Sequence, residues 1–392
     1  MSDSLALHST ILEHIRTANP KEDLRRQVVF AWLVVGLLLE QTINVPRLAN
    51  AIVSVAKAAS RERRVQRFLT NAHVKVGEYY DALIRQALRG WAGQTLYVAL
   101  DTTTLAGRLV ICRLALIYRG RAIPLVWQVY ARKSVMLAYE SYKPLLEHLL
   151  DLLPADAHVV LLGDKGFRTT EIMQFCRNHP NWHFRLRLQG GQYVWLKDGR
   201  VLLLADLQVQ RGQAGFLHQV HLGDERYGPL DIALAWRDGP KTQPWYIATD
   251  EPVGFTTLAD YSLRMDIDEA FRDDKSGGFQ LEDCELSDPG SVERLLLVMA
   301  VATLHLVSLG SYVVEQGQRP TVDGHWKRGL SYFQIGWRWL RRHVDCAATV
   351  LRTLPPLTPD PDPEPVFLPR VRRQAPTWTE WSLPPLGSLC PS

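Results

Sequence analysis

The sequence predicts an α/β fold: a mixed sheet with helices, interrupted by an all-β stretch and preceded by a helical N-terminal segment. Three observations carry that expectation. Apolar residues recur at helical spacing from Leu24 to about Leu88. From Thr95 the chain turns to short β-rich runs, ending in HVVLLGDKGF, a continuous apolar run of the kind found in strands buried on both faces. Between WHFRLRLQ and Asp250 the sequence is rich in Gly, Gln, Val and Trp, with frequent turn signals in place of a helical period.

The 392 residues suffice for two or three domains, and 46% hydrophobic residues is the composition of a folded globular chain. A net charge of +4 permits a polyanionic partner without requiring one. Cys112, Cys176, Cys284, Cys346 and Cys390 are odd in number, scattered and without CxxC spacing, so neither a disulfide framework nor a cysteine zinc site is indicated and a cytoplasmic location is expected. The opening MSDSLALHST has no basic segment followed by an apolar run, so no secretory signal is expected. Val28 to Leu39 and Leu295 to Leu309 are apolar but fall short of the roughly 20 residues that span a bilayer. They read as buried helices, with no membrane partner.

The N-terminal pattern, broken by Pro46 and by Ala58 to Arg64, predicts three or four short helices. In SRERRVQRFL, Arg61, Arg64 and Arg67 recur at steps of three, hence along one helix face, which is either a solvated face or a phosphate-contacting one. TLYVALD, RLVICRLALIY and AIPLVWQVY then read as three antiparallel strands, the last two joined at Arg119-Gly120-Arg121. A leucine-rich helix ending at Pro154 and the buried run before Asp164 complete a βββαβ order. After the β-rich stretch come the helix of YSLRMDIDEAFRDDKSGG, a long apolar helix through Leu309, and WKRGLSYFQIGWRWLRRH. That last segment interleaves Lys327, Arg328, Arg338, Arg341 and Arg342 with aromatics, as a DNA-backbone surface or an amphipathic helix with snorkelling arginines would. From Pro355 the chain is proline-rich and no packed element is expected.

Read as one continuous helix at about 100° per residue, Tyr261 to Gly278 puts Tyr261, Arg264, Asp268 and Lys275 on one stripe beside an apolar face of Leu263, Ile267, Ala270 and Phe271. Asp268 is then the inward carboxylate, Glu269 lies about 100° away, and Asp266 and Asp273 point to solvent. Taken alone, Arg264 and Asp268 are an ordinary helix-surface ion pair. Asp101 and Asp164, however, each end a β-run. Three carboxylates from two strand ends and a helix are hard oxygen ligands of the number that suits one or two Mg²⁺ ions in phosphoryl transfer.

On LDTTTL with Asp101, LLGDKGF with Asp164, and Tyr261, Arg264 and Lys275 at the spacing of the family's third block, the chain resembles DDE transposases of the insertion-sequence-four (IS4-like) group over roughly residues 24–345. The resemblance implies an RNase H-like core with a β-rich insertion. It divides the chain into a helical DNA-binding domain (1–92), a first core part (93–189), the insertion (190–252), a second core part (253–312), a basic helical segment (313–352) and a proline-rich tail (353–392). It implies metal-dependent cleavage and strand transfer at insertion-sequence ends, with Asp101, Asp164 and Asp268 as catalytic metal ligands for two Mg²⁺, replaceable by Mn²⁺. Where the family has Glu, this chain has Asp268, one methylene shorter, and Glu269 ranks second for that role. Tyr261, Arg264 and Lys275 would hold phosphate. Trp195, Trp236 and Trp245 are the candidates for stacking a flipped base in a DNA hairpin, or are core. The implied partners are double-stranded DNA with terminal inverted repeats and a second copy of the chain in a synaptic homodimer, in a bacterial nucleoid. A catalytically inactive, transposase-derived DNA-binding protein is the alternative.

Overall fold

The computed structural model describes residues 2–240, 242–324, 329–353, 357–360 and 378–383. Trp326, Lys327, Arg328 and most of the proline-rich tail lie outside them. Helices α1 (Ser2–Ala18), α2 (Leu24–Glu40), α3 (Val45–Asn50), α4 (Ala58–Thr70) and α5 (Val76–Ala87) come first. Asp23 and Asn44 cap α2 and α3, each accepting from the backbone N–H three residues on.

The sheet begins with β1 (Thr95–Leu105), β2 (Leu109–Tyr118) and β3 (Arg121–Tyr130), antiparallel neighbours in that order. Arg119 and Gly120 make the tight β2–β3 turn at φ 48° and 74°, the left-handed region that two-residue hairpins demand. Next come α6 (Tyr139–Leu152), β4 (His158–Gly163), α7 (Thr170–Arg177) and β5 (Trp182–Arg187), with β4 parallel to both β1 and β5. The stretch 190–252 holds β6 (Tyr193–Trp195), β7 (Val201–Leu203), β8 (Gln213–Leu222), β9 (Tyr227–Ala235) and β10 (Trp245–Thr249). These do not form a separate β body. β10 pairs antiparallel with β5, and the main path of the eleven-stranded sheet runs β3-β2-β1-β4-β5-β10-β9-β8-β6-β7. The stretch extends the sheet because the edge of β5 offers backbone groups that β10 satisfies.

The two faces of β1 and β4 differ in residue size. Val98, Leu100, Val159 and Leu161 join the large core on one face, while Ala99, Val160 and Leu162 share a smaller cluster on the other with Ala115 and Ala122. The alanines leave room for a close helix. That helix is not continuous: α8 (Phe255–Ser262) and α9 (Met265–Asp274) are joined by a turn in which Leu263, Arg264, Asp266 and Ile267 donate to carbonyls three residues back. Tightening to three residues per turn rotates the face that each half presents. α8 sets Leu258 and Tyr261 against Ala233, Trp245 and Ile247, and α9 sets Ile267, Ala270 and Phe271 against the alanines, as the apolar spacing predicted for α9.

Behind the sheet lies α10 (Pro289–Glu315), 27 residues long and by length and composition able to cross a bilayer, against expectation; 94% of its apolar window is buried in protein. It packs on α11 (Tyr332–Arg342), where Gly310 and Gly336 let the backbones touch, since a Cβ at either would collide with the facing carbonyl of Tyr332 or Leu306. α12 (Val344–Thr353) follows. Part of the tail does pack: β11 (Thr379–Glu380) pairs with β8, and Trp381 is buried over Gly215, whose missing side chain makes the room. Leu357 of the tail is buried as well.

Candidate active site

β1 and β4 are in register with Leu100 opposite Gly163, so the next residues, Asp101 and Asp164, stand side by side where the two parallel strands part: β4 ends there, while β1, against expectation, runs on to Leu105 along β2. Each lies two residues beyond a member of the small-residue face, Ala99 or Leu162, so both side chains project towards α9. α9 brings Asp268 to the same place. All three line one open cleft of about 380 Å³ with Thr102, Lys165, Gln189 and Arg264.

Arg264 organises the cleft. It is 7% exposed, and it donates to Asp101 Oδ2 at 2.9 Å and to Asp268 Oδ2 at 3.2 Å, so one guanidinium bridges the two carboxylates. The other oxygen of Asp101 accepts the Thr102 amide at 2.7 Å. Burial pushes the Asp101 carboxyl up to about 6, against the pull of Arg264 and the Thr102 amide, and the neighbouring charges of Asp268 and Asp164 add to the rise. Asp164 Oδ1 is buried with no hydrogen bond; Arg187 lies 3.7 Å away. A buried carboxylate oxygen without a donor is a costly arrangement that a cation relieves.

Asp268 was expected to face inward; its side chain is 51% exposed and forms the rim of the cleft. Glu269 points elsewhere, paired with Arg272 at 2.9 Å. Asp273, expected in solvent, is buried and bound to Arg121 at 2.7 Å, and Asp274 beside it meets Arg113 at 2.6 Å. Their partners sit on β2 and β3, so nothing local in the sequence announces their burial.

Two of the expected phosphate holders are placed differently. Tyr261 is fully buried, edge-on to Trp245 at 5.1 Å, and its hydroxyl lies near the charges of Arg264, Asp164 and Arg187 without a hydrogen bond of normal geometry. Lys275 follows the last residue of α9, does not line the cleft, and acts on Asp274. The stripe fails for both because the helix is broken before Arg264 and ends before Lys275. Conversely, Arg187 and Lys165 belong to the site and were not singled out. Arg187 is one position past Leu186, which pairs with Gly163, so it extends the Asp101–Asp164 row onto a third strand. The signal was the alternation in WHFRLRLQ, which puts Arg185 and Arg187 on one face.

Among the tryptophans, Trp245 is core beneath Tyr261, while Trp195 and Trp236 are partly buried and carry Arg226 and Arg211 over their rings at 3.8 and 5.1 Å. On α4, Arg64 and Arg67 are exposed but Arg61 is turned in, donating to the Ile52 carbonyl. On α11 the aromatics are buried and Arg338, Arg341 and Arg342 exposed, which is the amphipathic arrangement.

No protein-family model and no curated protein matches the chain. Among solved structures, a cryo-EM structure of the piggyBac transposase synaptic complex with hairpin DNA aligns over 88% of this chain and 78% of that one, at 10% identity and a TM-score of 0.46, a likeness too loose to argue from.

Proposed function

We propose that the chain is a DDE-type DNA transposase of RNase H-like fold, with Asp101, Asp164 and Asp268 as its catalytic carboxylates. One observation carries this: two aspartates side by side, each one residue past the last pair of two adjacent parallel strands, share an open cleft with a third from a facing helix. The donor set fits Mg²⁺ or Mn²⁺, being all carboxylate oxygen, with one buried oxygen of Asp164 left without a donor. Such ions, when bound, supply an activated water or 3′-hydroxyl and stabilise the leaving oxygen. The chain's own residues do the rest. Lys165 and Arg187 offer positive charge beside the carboxylates for a phosphodiester, and Arg264 orients Asp101 against Asp268. The exposed Arg64 and Arg67 suit the DNA backbone.

In this reading the protein cuts at the inverted repeats of its own element, as a synaptic homodimer in the bacterial nucleoid, by cut and paste. A hairpin step would require Trp195 or Trp236 to exchange its arginine for a flipped base. Asp101→Ala or Asp164→Ala is expected to abolish cleavage of duplex ends while leaving DNA affinity, measured at fixed salt, largely intact. Cleavage retained in either variant would refute the assignment.

One observation favours a second reading. Arg264 bridges Asp101 and Asp268 where a metal ion would lie, and with the shorter Asp268 this suits a decayed site on a DNA-binding protein. That protein would bind DNA and never cut it.

A further inference from the structure

The opposite end of the same strands carries another cluster. β4 starts at His158, and β5 places His183 opposite Val160, so both histidines project from one face with their rings 4.5 Å apart. Glu251 arrives two residues beyond β10. One ligand atom from each of the three lies within 4.8 Å of the others, with His158 Nε2 at 3.7 Å from Glu251 Oε1. By strand length the cluster is about 20 Å from Asp164.

The surroundings orient these groups. His183 Nδ1 is 3.2 Å from Asp250 Oδ2, a carboxylate that also accepts the Phe184 amide, and this bond leaves the Nε2 lone pair free for a cation. Glu251 Oε2 is held by Arg185 at 2.7 Å, which leaves Oε1 turned to His158. A carboxylate behind a histidine and an anchor on the second oxygen of an acid are the supports that metal ligands usually have. The side chains of His158, His183 and Glu251 are 40%, 20% and 27% exposed, so an ion has a path in and room for a water.

We infer that His158, His183 and Glu251 bind a borderline divalent ion, Zn²⁺ foremost, which ties β4, β5 and the β10–α8 connection together. Two imidazoles and one carboxylate with an open fourth position suit Zn²⁺ and not Mg²⁺, which prefers oxygen alone. Bonds of about 2 Å require the ligand atoms to close to about 3.3 Å, a movement within reach of side-chain rotation.

The test is calorimetric titration of Zn²⁺ into metal-stripped full-length protein in excess Mg²⁺. One Zn²⁺ per chain is expected, with affinity reduced at least about tenfold by His158→Gln and by His183→Gln, and about tenfold by Asp250→Asn, which keeps an oxygen for the Phe184 amide and removes the carboxylate behind His183. Asp101→Asn should leave it unchanged. Affinity unaltered in both histidine variants would overturn the inference. Co²⁺ added to the wild type provides a check that needs no variant: d–d absorption without a sulfur charge-transfer band supports the site, and a sulfur band or no absorption refutes it.

Discussion

The two ends of α9 are built from the same ingredients and differ in exposure to water. At its start, Asp268, Asp101 and Asp164 face Arg264, Arg187 and Lys165 around an open cleft, with Asp268 half exposed and an oxygen of Asp164 unsatisfied. At its end, Asp273 and Asp274 meet Arg121 and Arg113 one to one, and Arg113 and Asp274 are 2% and 5% exposed. Three carboxylates open to water, one oxygen of which has no donor, are an arrangement that recruits a cation. A dry set of ion pairs fixes where the helix lies, and here it holds α9 against β2 and β3 so that Asp268 stays over Asp101.

Breaking the dry end has the largest expected effect on stability. Asp274→Ala leaves Arg113 buried and unpaired and should cost about 3–5 kcal/mol in chemical denaturation. Replacing both partners, Arg113→Met with Asp274→Leu, should be close to neutral, because the desolvation of two charges is removed with their attraction. A large loss in the double variant would mean that the pair stabilises more than it costs.

Neutralising a buried carboxyl without deleting it tests a different effect, at the open end as at the dry end, where burial also raises Asp273 to about 6. The Asp101 carboxyl is raised to about 6 by burial, above its unfolded value, so the folded state binds this proton more readily than the unfolded one. Its cost to stability is therefore full above about pH 6 and disappears as pH falls towards 4. Asp101→Asn should stabilise the metal-free fold by up to about 3 kcal/mol at neutral pH, with the gain vanishing near pH 4. A gain independent of pH would show that charge burial is not its cause.

Asp268 sharpens the contrast further. Because it is half exposed, Asp268→Asn should change stability by no more than about 0.5 kcal/mol yet stop cleavage, and Asp268→Glu should keep it. The smallest effect falls to Glu269→Gln, which loses only the surface pair with Arg272 and should leave both stability and cleavage nearly unchanged. Cleavage lost in Glu269→Gln and retained in Asp268→Asn would move the third ligand by one residue.

What was legible in the sequence was what local patterns encode. Apolar runs located the strands that deliver Asp101 and Asp164, and spacing located the apolar face of α9. The break between α8 and α9 was not legible, because no Gly or Pro marks it; it coincides with Arg264 reaching Asp101, 163 residues away. Burial of Asp273 and Asp274 likewise depends on arginines far off in sequence, and one helical period carried across that break and past the end of α9 did not reveal that Tyr261 is buried beside the site and Lys275 off the cleft. Trp381 closing over Gly215 is a contact between segments that share no pattern.

The central claim is that the three aspartates form a metal-dependent cleavage site. It is tested most directly by titrating Mg²⁺ into metal-stripped wild-type protein with end-labelled duplex DNA at fixed salt, and counting nicked strands. Nicking that is absent without metal, rises with Mg²⁺ and is abolished by a chelator is the predicted result. DNA that is bound but never nicked at any Mg²⁺ or Mn²⁺ concentration, or nicked equally without metal, would contradict it.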